Sequence, residues 1–229
     1  MRNTRNILYI ALVLLFSTLG CVSLLEQTFA LEAGDPIHLA ALNGDLGKVK
    51  ELTSQDQALI EKEDKYGRTP FHYAAMQNRT EVMEYLLQEG ARIDATSSVE
   101  WCYTPLFCAV NSGKTESVRF LLENGADPSV RNQDGVPPYN MTCNGDDCDE
   151  VYRLIKDKII SSKSWSKEMK QLIKDGKIKI GMTQEMVLLS WGQPKDVNKM
   201  VGEWGVHEQW VYGTNYLYFE NGVLSSYQN

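Results

Sequence analysis

Three histidines and seven prolines are few for 229 residues, and no G-x-S-x-G, H-E-x-x-H, P-loop or Rossmann pattern occurs. Without such motifs the sequence assembles no nucleophile, base and oxyanion donors, so it reads as no enzyme and asks for no cofactor. The chain is also short of positive charge, with 23 Lys and Arg against 30 Asp and Glu. A nucleic-acid partner is therefore excluded from the expectations. Beyond the first 25 residues there is no long apolar run. A content of 43% hydrophobic and 23% charged residues speaks for a globular chain of about two modest domains.

What is present is a period. Asp35-Pro36-Ile37-His38-Leu39-Ala40, Thr69-Pro70-Phe71-His72-Tyr73-Ala74 and Thr104-Pro105-Leu106-Phe107-Cys108-Ala109 recur at 34 and 35 residues, and Pro137-Pro138-Tyr139-Asn140-Met141-Thr142 follows 33 later. A second apolar pattern, starting at Val49, Met83, Val118 and Val151, keeps phase with the first. Each unit thus predicts two short helices, the first opened by Thr as N-cap and Pro at the first helical position. Gly90 and Gly125 close the second helices in the left-handed conformation, and the chain then extends into a hairpin. The pattern resembles the ankyrin repeat, T-P-L-H-x-A at a period near 33. The fold expected over 35–160 is a mainly α solenoid of about four helix-turn-helix repeats.

Ahead of it, Arg2 and Arg5 precede an apolar run from Ile7 to Leu19, the plan of a secretory signal. Three outcomes fit this segment: cleavage after Ala30, lipidation of Cys21 at the lipobox-like Thr18-Leu19-Gly20-Cys21, or retention of Ile7 to Leu25 as a membrane anchor. The expected location is accordingly the periplasm or outer membrane of a bacterium, with membrane association through the N-terminus. Without Cys21, four cysteines remain, and an oxidising compartment invites disulfides among Cys102, Cys108, Cys143 and Cys148. Local pairs, Cys102 with Cys108 and Cys143 with Cys148, stand against buried free thiols. No histidine accompanies them at zinc-ligand spacing.

Charge is uneven along the chain. Residues 35–150 hold 10 Lys and Arg against 20 Asp and Glu, net −10, while residues 151–180 hold 9 against 3, net +6. In the basic stretch, Lys163, Lys167, Lys170 and Lys174 recur at helical spacing beside Trp165, Met169, Leu172 and Ile173. This predicts an amphipathic connecting helix over 161–176, with its lysines as a solvated face or a surface for anionic lipid. Asp146, Asp147, Asp149 and Glu150 are dense enough in oxygen to suggest calcium, but the spacing departs from a twelve-residue loop. Asp149 and Glu150 instead suit the first turn of the following helix.

From 177 to 229 the pattern changes to a short extended segment at Ile178–Ile180, a helix from Gln184 to Trp191 capped by Thr183, and three strands over 208–212, 216–220 and 223–227. Asn221-Gly222 marks a two-residue hairpin. A small α+β domain with a three-stranded antiparallel sheet follows. Gly181-Met182-Thr183, Trp191-Gly192-Gln193-Pro194 and Phe219-Glu220-Asn221-Gly222 resemble the SmpA/OmlA (BamE-like) domain of bacterial envelope lipoproteins, which implies a cell-envelope setting.

Function falls to recognition. The ankyrin resemblance implies that another protein is bound through the hairpin tips and the exposed face of the first helices. Those positions are Lys65, Tyr66, Arg68, Met76, Gln77, Glu100, Trp101, Tyr103, Asn111, Ser112 and Gln133. The reading is a non-catalytic interaction module or scaffold in the envelope, or alternatively a secreted effector or inhibitor of a foreign protein. His38 and His72 belong to the repeat motif, and His207 with Glu203, Glu208 or Asp196 is the sole grouping with any catalytic vocabulary.

Overall fold

The computed structural model describes residues 35–145, 147–203 and 205–228. The N-terminal segment with Cys21 and Ala30, and also Asp146 and Trp204, lie outside the described residues.

Three helix pairs form the repeats: α1 (Pro36–Asn43) with α2 (Leu46–Gln55), α3 (Pro70–Met76) with α4 (Thr80–Gln88), and α5 (Pro105–Asn111) with α6 (Thr115–Glu123). The first members stack α1 on α3 on α5, and α4 lies between α2 and α6. Small side chains permit this approach, because Ala40, Ala41, Ala74, Ala75 and Ala109 are all buried in one core. Val49, Met83, Val118 and Val151 repeat the second apolar position and are likewise fully covered. Between the two helices of each repeat the chain turns through a left-handed residue, Gly44, Asn78 or Gly113. Asn78 does more than turn, since its side-chain oxygen accepts from the Ser117 amide at the start of α6 (2.8 Å) and so ties two repeats together.

The fourth repeat is half of what the spacing predicts. Pro137 to Thr142 makes a single 3₁₀ turn, Pro138–Asn140, and only the second helix, α7 (Cys148–Ser162), is present. After Asn140 the backbone goes extended at Met141. Residues 142–145 then run as a strap along the end of α5, where the Asn144 amide donates to Asn111 O (2.9 Å) and Asn111 Nδ2 to Thr142 O (3.2 Å). Bonds to α5 replace the hydrogen bonds a helix would have made within itself. Among the described residues the repeats are thus three complete pairs and a closing helix.

Helix α8 (Lys167–Lys174), capped by Ser166, connects the array to a C-terminal unit. Helix α9 (Gln184–Trp191) and a meander of β1 (Asp196–Gly202), β2 (Gly205–Tyr212), β3 (Asn215–Glu220) and β4 (Val223–Gln228) compose that unit, all neighbours antiparallel. The sheet therefore has four strands, not three. β1 escapes a reading by pattern because all seven of its residues are exposed, so neither face is selected for apolar character. Ile178–Ile180 is not a strand. It leads into a turn whose next residues border β4, with Gly181 N donating to Leu224 O and Leu224 N to Met182 O (both 2.8 Å). Trp210, Leu217, Phe219 and Leu224 bury one sheet face with Met186, Val187 and Leu189 of α9. Asn221 and Gly222 both have positive φ, as the two-residue turn between β3 and β4 requires.

Candidate protein-binding surface

Between consecutive repeats the hairpins project as fingers, and the first, residues 62–69, is built around a buried charge. Asp64 Oδ1 accepts from the amides of Tyr66 (2.8 Å) and Arg68 (2.9 Å), while Oδ2 accepts from Arg68 Nε (2.8 Å) and the Tyr73 hydroxyl (2.8 Å). The two side chains are 3% and 1% exposed. Burial pushes the Asp64 carboxyl up, but the Arg68 amide and guanidinium, the Tyr73 hydroxyl and the Tyr66 amide outweigh it and hold the group below the usual range. The Arg68 guanidinium also stacks between the rings of Tyr66 (5.0 Å) and Tyr73 (4.8 Å). The finger is consequently rigid before anything binds.

The second finger hangs on the first. Ser98 donates its amide (2.8 Å) and hydroxyl (3.0 Å) to Tyr66 O, and Ser97 occupies the place of Asp64, its amide donating to Tyr103 O (2.8 Å). Six positions separate Ser97 from Tyr103 where four separate Asp64 from Arg68, and the added length forms the 3₁₀ turn Glu100–Cys102. A Cys102–Cys108 disulfide anchors this turn to α5, and Trp101 and Val99 pack on Met76 and the two sulfurs. In the third finger Asn132 stands where Asp64 does, and its side-chain oxygen accepts from the Val136 amide (2.8 Å) without any charge. A second disulfide joins Cys143 in the strap to Cys148 at the start of α7.

These placements sort the expected contact residues. Lys65 and Gln133 are exposed, and Tyr66, Gln77, Glu100, Trp101, Tyr103, Asn111 and Ser112 are half-buried. Arg68 and Met76 are corrected: both are buried, the one against Asp64 and its two tyrosines, the other beneath the second finger. Sequence reasoning also missed Ser98, whose bonds to Tyr66 couple the fingers. A serine at a turn gives no signal of that kind.

The histidines are structural. His38 Nε2 lies 2.7 Å from Lys62 O in the first finger. His72 Nδ1 accepts from the Thr69 amide (3.1 Å), and the ring is wholly buried. Burial pushes His72 down to about 3, against the opposing pull of the Tyr103 and Ala95 backbone. The sign is then fixed. Below the unfolded value near 6.5 the unfolded chain takes up a proton that the folded chain refuses, so stability is undiminished above pH 6.5 and falls by about 1.4 kcal/mol per pH unit as pH drops toward 3. Urea unfolding at pH 7 and pH 5.5 is expected to show this loss in the native sequence and not in His72→Gln.

His207 faces Met200 and Glu220 across the sheet, whereas the adjacent Glu208 points to the opposite face, bound by Gln184 (2.6 Å), Trp210 (2.9 Å) and Lys199 (2.8 Å). Of the carboxylates grouped with His207, Glu208 thus lies on the other face and Asp196 pairs with Val211, four residues farther along β2. Lys163, Lys174 and Lys179 pair with Glu185, Asp157 and Glu168, which commits part of the basic stretch to internal ion pairs. Among the described residues no helix is long and apolar enough to cross a membrane.

A family profile described as "Ankyrin repeats (3 copies)" matches residues 11–97 and 37–132, together more than half of the chain. The chain belongs to the ankyrin-repeat family. Ankyrin repeats serve protein–protein interaction, and the family is generally non-catalytic. Human inversin is 31% identical over 106 residues, which is 46% of this chain and 10% of inversin. Palmitoyltransferase AKR1 of Lachancea kluyveri is 33% identical over 128 residues, 52% of this chain and 17% of that protein. The human transient receptor potential cation channel subfamily A member 1 is 35% identical over 74 residues, 32% of this chain and 7% of the channel. This ankyrin-repeat chain therefore spans between about a fourteenth and a sixth of these relatives.

Proposed function

We propose that the protein is a non-catalytic scaffold of the bacterial cell envelope that holds another protein along its finger edge. The observation that carries the reading is the coupling of the first two fingers. Ser98 on Tyr66 O and the buried Asp64–Arg68 pair hold the first two fingers together, with Lys65 over the Tyr66 ring on the first and Trp101 on the second. Preorganised aromatic side chains bury much area at little entropic cost, which is how interfaces concentrate their binding free energy.

The compartment is argued from the N-terminal sequence and from the SmpA/OmlA resemblance of the last 55 residues or so, since the relatives named above are animal and yeast proteins. Membrane association enters through Cys21 or the apolar run before it. Intact mass and fractionation of the expressed product test this part: loss of 30 residues from a soluble periplasmic pool supports a mobile binding protein. A diacylglyceryl mass on Cys21 in the membrane fraction supports a lipoprotein.

Trp101→Ala tests the finger edge. Partner capture by in-cell cross-linking is expected to drop at least about tenfold. The ring is half-buried, so the melting temperature should shift by only a few degrees. A collapse in stability with capture intact per folded molecule would place Trp101 in the core and remove it from the interface.

A further inference from the structure

The two edges of the C-terminal sheet differ. β4 is bordered by residues 181–184, with Gly181 N on Leu224 O (2.8 Å), Leu224 N on Met182 O (2.8 Å) and Gln184 N on Gly222 O (3.1 Å). β1 pairs only with β2 and has no second neighbour among the described strands. It is seven residues long and contains neither proline nor a register shift. Its one lysine, Lys199, is drawn onto Glu208 of the next strand (2.8 Å) rather than guarding the edge.

Exposed apolar surface concentrates at the same place. The large hydrophobic side chains found exposed among the described residues all fall between Ile180 and Tyr227, and the two most exposed, Val201 at 70% and Met200 at 64%, sit on β1 beside Val197 at 43%. Native proteins normally blunt such an edge, because a flat apolar strand with unpaired backbone groups is a template for another strand.

We propose that β1 is a self-association edge: two copies of the chain pair their β1 strands antiparallel across a two-fold axis, joining two four-stranded sheets into one of eight. A second copy fits better than a foreign strand because every copy carries the same open edge, and isologous pairing closes both at once without leaving one to propagate. Register follows from the side chains. In an antiparallel pair, opposed residues share a face, so the axis passes midway between one residue and its own copy. Centred on Lys199 it would oppose two ammonium groups. Centred on Met200 it stacks Met200 on its own copy, sets Lys199 beside Val201 and Asn198 beside Gly202, and covers the two most exposed side chains. Each dimer then carries two ankyrin arrays, which raises avidity for any partner that displays two sites.

The test uses the full chain in sedimentation equilibrium over a range of concentrations. The native sequence is expected to dimerise, and the double change Met200→Lys, Val201→Lys to weaken the dimer at least tenfold with an unchanged circular dichroism spectrum. Because opposed Cα atoms in antiparallel pairs lie within disulfide reach, oxidation of Met200→Cys is expected to give a disulfide between the two copies at that position, mapped by mass spectrometry. Trp101→Ala should dimerise as the native chain does, which keeps this result separate from the fate of the finger edge. A native chain that stays monomeric at its highest soluble concentration overturns the proposal. So does a dimer that ignores the lysine pair and forms no link at position 200.

Discussion

Asp64→Ala is expected to cost about 3–5 kcal/mol, a large part of the roughly 5–15 kcal/mol that holds a domain of this kind together. The change takes from the Arg68 guanidinium, 1% exposed, the carboxylate bound at its Nε, and it removes the acceptor used by the Tyr66 and Arg68 amides and the Tyr73 hydroxyl. Desolvation of the stranded groups, rather than the attraction lost, sets the size of the effect. Asn132 shows how to separate the two contributions, since an uncharged amide there makes the same amide-accepting bond in the third finger. Asp64→Asn should therefore keep the turn and cost less than Asp64→Ala. The pair Asp64→Asn with Arg68→Met should recover part of the loss, because removing both charges abolishes the desolvation problem. Urea unfolding followed by far-ultraviolet circular dichroism measures all three. A cost below about 1 kcal/mol for Asp64→Ala would mean that the cluster is not desolvated in solution.

The array was legible because its information is periodic. Thr-Pro at 69 and 104, the alanines that follow and the valines or methionine of the outer helices each recur in phase, so an error at one repeat is corrected by the next. The fourth repeat kept the period in Pro137-Pro138-Tyr139 and lost the helix, because the strap's bonds to Asn111 are tertiary and leave no trace in local spacing. β1 was missed for a related reason: an edge strand exposed on both faces shows no alternation. On the finger edge, exposure failed where chemistry overrode position. Arg68 occupies a hairpin position that reads as solvent-facing, yet Asp64 four residues earlier and Tyr73 five later fold it inward. An aspartate and an arginine at that separation were visible in the sequence, and they pointed to pairing more than to contact. Met76 was misplaced because the two-residue lengthening of the second finger, which lays Val99 and Trp101 over it, cannot be weighed without the fold.

Gly145→Ala and Gly113→Ala should be the most disruptive small substitutions in the array. A Cβ built on Gly113 falls 2.4 Å from Gly145 Cα and 2.8 Å from Gly145 N, and one built on Gly145 falls 2.6 Å from Gly113 Cα. Both obstructions are backbone, so no side chain can swing aside. Gly113 also sits at φ +60°, which adds about 1 kcal/mol for any residue with a Cβ. The strap must move, and in moving it releases the Asn144 bond to Asn111 and the turn that Cys143 and Cys148 close at the start of α7. A loss of about 3 kcal/mol or more is expected from either change. The second change should add little to the first, since a strap already displaced has no contact left to lose. Gly135→Ala is the control: φ is +77° and nothing lies within 4 Å of its added Cβ, so only the conformational penalty of about 1 kcal/mol applies. Equal melting temperatures for Gly145→Ala and Gly135→Ala would show that the strap does not press against the turn between α5 and α6. A wide gap would establish this glycine contact as what seats the closing helix α7, and through it the C-terminal unit, on the end of the ankyrin stack.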